Sequence, residues 1–304
     1  MDSEQELLAR LRRRVTIPQG SGVVAGIGDD CAIVRPRGSR EDLLFTTDML
    51  LENVHFTRET HAPGDIGHKA LARGLSDIAA MGGSPRFCLL SLALPAWADD
   101  AWVDALFGGL LELAGRTGTA LAGGDLARAE RVLCDIVVCG GVPRGTALLR
   151  SGAKPGDAIY VSGWLGESAL GLETRRGKAW KKHLRPEPRL DAGRFARERL
   201  HATAAMDLSD GLSIDLHRLC LASGVSAEIE ETPARSRMAK PRHYMHGGED
   251  YELLFTVRAN TLVPPEFEGV PLTYIGRIRQ GTPGDVRMFG FTLRPLGYDH
   301  FRNS

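Results

Sequence analysis

Two hydrophobic periods alternate along this chain and predict a mixed α/β architecture. Leu7, Leu8 and Leu11 share one face of a short helix that runs to about Arg14 behind a capping-box pattern at Ser3 and Glu6. Val23-Val24 and Ala32-Ile33-Val34 are strand-like on either side of a turn, Gly26-Ile27-Gly28-Asp29-Asp30. A buried strand over Leu43 to Thr47 runs into Asp48, and a helix with Asp65 as a cap starts at Pro63. Ile66, Ala70, Leu71, Leu75 and Ile78 follow helical spacing up to Gly82-Gly83. Next come a strand from Phe87 to Leu94, and a helix capped at Asp99-Asp100 that reaches Leu113 and is ended by Gly115 and Gly118. A short strand, Ala120 to Ala122, leads into Gly123-Gly124-Asp125, and a longer one spans Val132 to Val142.

A polar, Gly/Pro-rich crossing between Leu148 and Pro155 divides the chain into predicted domains 1–148 and 149–304. The second half opens with a strand from Ala158 to Ser162 and a helix from about Gly166. The charges of a basic passage, Arg175 to Arg189, are expected to coat a loop and helix surface. A helix from Asp191, a strand ending at Met206 and an acidic turn at Asp207-Leu208-Ser209-Asp210-Gly211 follow. Leu212, Leu216, Leu219 and Cys220 recur at helical spacing, and strands are predicted around Ala227 to Ile229, Tyr251 to Val257 and Leu272 to Ile278. Both halves share a strand, acidic turn, helix order without a tandem repeat.

Composition narrows the function classes. The 304 residues are 43% hydrophobic and 25% charged, with 38 basic residues offset by 38 acidic ones. That balance gives no support for nucleic acid or an anionic membrane as the main partner. No apolar run is long enough to span a membrane and the N-terminus has no secretory pattern, so a cytoplasmic protein is expected. The five cysteines form no C-x-x-C pair and read as buried free thiols.

The nucleotide and hydrolase signatures are missing: there is no P-loop, H-E-x-x-H or G-x-S-x-G. Gly20-x-Gly22-x-x-Ala25 fits a loose dinucleotide fingerprint but precedes a strand rather than a helix. What remains is a series of carboxylates at the ends of predicted elements: Asp29-Asp30, Asp48, Asp77, Asp125, Asp207 and Asp210. Taken alone, Asp29-Asp30 reads as a solvated turn ahead of a metal site, because Gly and Asp are favoured in turns. Asp77 is the most telling, because it interrupts an apolar helical stretch where a charge is costly unless it is paired or bound to a cation. Carboxylates gathered at one place repel by about 4 kcal/mol at 4 Å even at an effective dielectric of 20. Such a group needs divalent cations, and Mg2+ collected without a P-loop usually holds phosphates. Thr46 and Thr47 add hydroxyl ligands, and Gly124-Asp125 offers an amide beside a carboxylate.

The stretches Gly26-Ile27-Gly28-Asp29-Asp30-Cys31-Ala32, Thr46-Thr47-Asp48-Met49-Leu50, Val54-His55-Phe56, Leu75-Ser76-Asp77-Ile78-Ala79-Ala80-Met81-Gly82 and Gly123-Gly124-Asp125 closely resemble bacterial thiamine-monophosphate kinases. So do Arg150-Ser151-Gly152-Ala153-Lys154-Pro155-Gly156-Asp157, Asp207-Leu208-Ser209-Asp210-Gly211-Leu212, Gly247-Gly248-Glu249-Asp250-Tyr251-Glu252-Leu253 and the ending Gly297-Tyr298-Asp299-His300-Phe301. The motifs keep their order over nearly the whole chain. The resemblance implies an ATP-dependent kinase that converts thiamine monophosphate to thiamine diphosphate. It also implies the two-domain fold of the aminoimidazole-ribonucleotide synthetases, with N-terminal strands forming a barrel across a homodimer. By carry-over, Asp30, Thr46, Thr47, Asp48, Asp77, Asp125, Asp207 and Asp210 would ligate several Mg2+ ions. Gly124, Asp125, Arg150 and Ser209 would contact ATP, and His55 and Glu249 the thiamine phosphate, with Asp29 a neighbour to the site.

A terminal phosphate oxygen is already a nucleophile, so no dedicated general base is expected, and positioning and charge neutralisation carry the transfer. One departure stands out: Pro295 occupies a place where many family members carry an aromatic that stacks on thiamine, leaving Phe289, Phe291 or Tyr298 as substitutes. Two other readings share the ingredients. One is an ATP-dependent synthetase of the same fold, although no cysteine precedes Cys31 as a selenophosphate enzyme would want. The other is a catalytically silent ATP/Mg2+-binding regulator, against which no motif carboxylate is lost.

Overall fold

The structure is a computed structural model that describes residues 4–301. Ser3 of the expected capping box lies outside them. The first half runs α1 (Glu4–Arg14), β1 (Val23–Ala25), β2 (Ala32–Val34), β3 (Glu41–Leu51), α2 (Pro63–Ala80), β4 (Ser84–Leu94), α3 (Asp100–Thr117), β5 (Ala120–Arg128) and β6 (Leu133–Pro143). Its six strands form one sheet in the order β1-β2-β3-β6-β4-β5, antiparallel except for the β4–β5 pair. Alternation in β3 sends Leu44, Thr46 and Leu50 inward, where α2 covers them. Helix α3 packs on α2 as the next layer.

The second half runs β7 (Ala158–Ser162), α4 (Glu167–Thr174), α5 (Gly177–Leu184), α6 (Leu190–Glu198), β8 (Ala204–Leu208), α7 (Leu212–Ser223), β9 (Ser226–Ile229), α8 (Pro241–His246), β10 (Glu252–Val257), β11 (Glu266–Phe267), β12 (Val270–Arg279), β13 (Val286–Met288) and β14 (Phe291–Thr292). The second sheet has the order β14-β13-β9-β12-β7-β10-β8, with β11 paired to β12. Helix α2 also meets α6, β8 and β10, so it joins the halves. The approach to α6 needs Gly193, where an added Cβ would lie 2.0 Å from the Ala79 carbonyl oxygen.

Several expected boundaries move. Asp48 lies inside β3 rather than after a strand end, which its pairing with Arg73 makes tolerable. Strand β5 continues through Gly123-Gly124-Asp125 instead of ending before them. Glycine at 124 is required by packing, since a Cβ would lie 1.8 Å from the Leu90 carbonyl oxygen. Gly115 sits inside α3, and Gly118 ends it. Asp65 does not cap α2; Ala62 holds that position, and Asp65 pairs with Arg185 at 2.5 Å.

The basic passage is not simply a solvated surface. Lys182 and Arg189 turn inward to the buried Glu252 at 2.8 and 2.6 Å. The short helix α8 lacks enough apolar periodicity to be anticipated. The N-terminal sheet is open within one chain, with β1 and β5 at its edges. All five cysteines are free and buried, as expected. No helix of the described residues is long and apolar enough to cross a membrane.

Candidate active site

A cavity of about 1550 Å³ opens between the halves. Three elements aim a carboxylate at one wall: the β1–β2 turn supplies Asp30, α2 supplies Asp77 and β8 supplies Asp207. Their oxygens lie within 4.8 Å of one another. Each is held by its neighbours. Arg150 donates from Nη2 to Asp30 Oδ1 at 2.6 Å, and its backbone N–H donates to Asp29 Oδ1 at 2.6 Å. Ser76 donates to Asp207 Oδ2 at 2.8 Å, and Thr46 donates to Asp77. Asp29 thus fixes the Arg150 backbone while Asp30 faces the cluster.

Burial, reinforced by the other carboxylates, pushes Asp77 and Asp207 well above the usual carboxylate range. Asp30 Oδ2 is buried without a hydrogen-bond partner among the described residues. Hard oxygen donors, mutual repulsion and an unserved buried oxygen together suit a divalent cation such as Mg2+.

Further carboxylates flank this group. Asp48 sits on the inner face of β3 and accepts from Arg73 Nη2 at 2.9 Å; burial raises its carboxyl despite that partner. Asp210 accepts from Arg218, and the N–H groups of Asp210 and Gly211 donate to Asp215 Oδ2 at 3.1 and 3.0 Å. Burial first, and then Asp210, lift Asp215 to about 7. Thr47 lies at the cavity rim but points to the outer face of the sheet, where it donates to Asp135 Oδ1 at 2.9 Å. By register, Met49, Asp135, Ser91 and Asp125 share that outer face. Gly124 and Asp125 do not line the cavity; every other site residue expected from the sequence does.

At the far end, Lys69 Nζ lies 2.7 Å from Glu249 Oε1, and His183 Nδ1 lies 3.5 Å from Oε2. Burial alone would raise the Glu249 carboxyl, but Lys69 and His183 hold it down at about 2. Glu249 and Tyr251 both adopt positive φ, 64° and 49°, which fixes this loop in an uncommon conformation. His55 accepts from the Leu51 N–H at 3.0 Å through Nδ1, leaving Nε2 buried without a partner among the described residues. Of the candidate aromatic substitutes, Tyr298 lines the cavity with Pro295, and Phe289 and Phe291 are not among the lining residues. Lys69, Arg73 and His183 were not singled out from the sequence. For the first two, the available signal was charge at four-residue spacing in an apolar helix.

Burial and then the Lys69 charge lower His183 to about 3 from the usual 6.5. The unfolded chain therefore takes up a proton between these values that the folded chain refuses, and the imidazole's contribution is lost as pH falls through that window. The raised carboxylates act in the opposite direction, so a difference measurement isolates His183. The Tm advantage of wild type over His183→Gln is expected to shrink as pH falls from neutral toward about 4. A difference that stays constant with pH would contradict this.

Residues 28–148 match the family model described as AIR synthase related protein, N-terminal domain, and residues 154–288 match its C-terminal counterpart. The thiamine-monophosphate kinase of Escherichia coli K12 is 39% identical, with 98% of each chain covered. The chain belongs to the thiamine-monophosphate kinase family. A solved structure described as AaThiL complexed with AMPPCP and TMP superposes with a TM-score of 0.85 at 31% identity, covering 98% of this chain and 97% of that one. The hydrogenase maturation protein HypE, at 18% identity and a TM-score of 0.67 over 88% of this chain and 92% of that one, shares the fold alone. Against the kinase family, the two-domain mixed α/β architecture is the expected one.

Proposed function

We propose that this chain transfers the γ-phosphoryl group of ATP to thiamine monophosphate, releasing thiamine diphosphate and ADP. The observation that carries the reading is the convergence of Asp30, Asp77 and Asp207 on one cavity wall in a chain of this family. The AaThiL complex holds AMPPCP and TMP, and its similarity over nearly the full chain supports the same pair of substrates here.

Asp30, Thr46, Asp48, Asp77, Asp207 and Asp210 would hold Mg2+ inside the cavity, with Thr47 at its rim. When bound, Mg2+ supplies charge neutralisation for the phosphates. Arg150 and Ser209 face the nucleotide, and His55 and Glu249 the thiamine end. Gly124 and Asp125 contribute to ATP or metal binding only if the nucleotide reaches the outer face of the sheet. Met49 and Leu89 are exposed on this sheet, and we place the homodimer contact there. The domains divide at 148/149, a position supported by the spans of the two family models. Five buried free thiols suit a reducing cytoplasm.

The chain's own groups position the reactants. The acceptor's phosphate oxygen attacks directly, so no side chain needs to remove a proton or carry the phosphoryl group. With ATP radiolabelled at the γ-phosphate, label is expected in thiamine diphosphate and none on the protein. Labelled protein that discharges to thiamine monophosphate would overturn direct transfer, and label in neither would overturn the kinase reading.

A further inference from the structure

Lys69, Arg73 and Asp77 stand at four-residue spacing on α2, so their side chains form one column along the helix. With a rise of 1.5 Å per residue, successive stations are about 6 Å apart along the axis. Asp77 ends the column inside the carboxylate cluster, and Lys69 ends it against Glu249. Arg73 lies midway. Its Nη2 donates to Asp48 Oδ1 at 2.9 Å and its Nη1 to the Met49 carbonyl oxygen at 3.1 Å. The Nε of Arg73 is buried with no hydrogen-bond partner among the described residues, although the side chain, 13% exposed, lines the cavity. A guanidinium has five N–H groups, and these two contacts leave three of them without a hydrogen-bond partner among the described residues.

On the kinase reading, which this inference rests on, the acceptor phosphate must lie between the transferring phosphoryl group and the thiamine rings. The first belongs to the Asp77 end and the second to the Glu249 end. We infer that Arg73 is the anchor for the acceptor phosphate of thiamine monophosphate, binding it through the planar N–H fork that its two protein contacts leave available. Asp48 then serves a second purpose: its carboxylate orients the guanidinium that the phosphate meets. A residue that merely neutralised Asp48 would affect stability without telling phosphorylated from unphosphorylated thiamine.

Calorimetric titration of the full chain in Mg2+ buffer, with thiamine monophosphate and with thiamine, separates these roles. Wild type is expected to prefer the phosphorylated ligand. Arg73→Gln is expected to lose roughly 10- to 100-fold in affinity for thiamine monophosphate, the scale of lost charged hydrogen bonds, while thiamine binds as before. Arg73→Lys, which keeps the charge without the fork, is expected to recover part of the preference. If Arg73→Gln keeps the wild-type ratio of the two affinities, the assignment of Arg73 is overturned. If wild type itself shows no preference, the kinase reading falls and this inference falls with it. Should Arg73→Gln fail to fold, Arg73→Lys decides: an intermediate ratio supports the anchor, and an unchanged ratio overturns it.

Discussion

Asp77→Asn is expected to reduce turnover by at least about a thousandfold while raising the Tm of the metal-free protein. Both effects come from one charge. Asp77 shares its site with Asp30 and Asp207, whose oxygens lie within 4.8 Å. At an effective dielectric of 20, unit charges 4 Å apart interact by about 4 kcal/mol. Burial and that repulsion together hold the Asp77 and Asp207 carboxyls above their usual range. The repulsion costs stability without a cation, and the attraction of each carboxylate to Mg2+ would offset it. Losing about 4 kcal/mol of charge stabilisation in the transition state corresponds to roughly three powers of ten in rate. Asparagine keeps an oxygen to accept from Thr46, so the packing of α2 on β3 survives. Thermal melts with and without Mg2+, beside a turnover assay, check the pair of outcomes. A variant that melts lower than wild type without metal would show that Asp77 is held by protein partners alone.

Lys69→Met has the largest expected effect on stability. The ammonium is fully buried and lies 2.7 Å from Glu249, so removing it leaves a carboxylate that has lost its nearest positive partner. Breaking one side of a buried pair costs about 3–5 kcal/mol. The lower end, about 3 kcal/mol, is appropriate here because Glu249 keeps a quarter of its side chain exposed to the cavity. Changing the partner too, in Lys69→Met with Glu249→Gln, is expected to recover most of the loss, since no unpaired charge remains. Denaturant melts of the single and double variants measure this directly. A double variant as unstable as the sum of the singles would place the cost in packing around the lysine stem instead.

The order of elements was legible wherever hydrophobic period and punctuation agreed, as along α2 and α3. It failed where a tertiary contact overrides a local signal. Gly123-Gly124 looks like a strand end, yet β5 passes through because Leu90 leaves no room for a Cβ at 124. Arg175 to Arg189 looks solvated, yet Lys182 and Arg189 fold inward because Glu252 is buried opposite them.

Within the site, Asp77 stood out because a lone carboxylate in an apolar helix requires compensation. The charges one and two turns earlier, Arg73 and Lys69, carried the same message. Their partners, Asp48 and Glu249, are distant in sequence, and no local pattern announces which charges will meet. The separation of Thr47 and Asp125 onto the outer face is likewise a consequence of strand register, which motif order does not encode.

Product formation across a Mg2+ titration tests the central claim most directly. With ATP and thiamine monophosphate, thiamine diphosphate and ADP are expected in equal amounts, rising with Mg2+ and vanishing when the metal is chelated. ADP accumulating without thiamine diphosphate, or turnover that persists after chelation, would contradict the account.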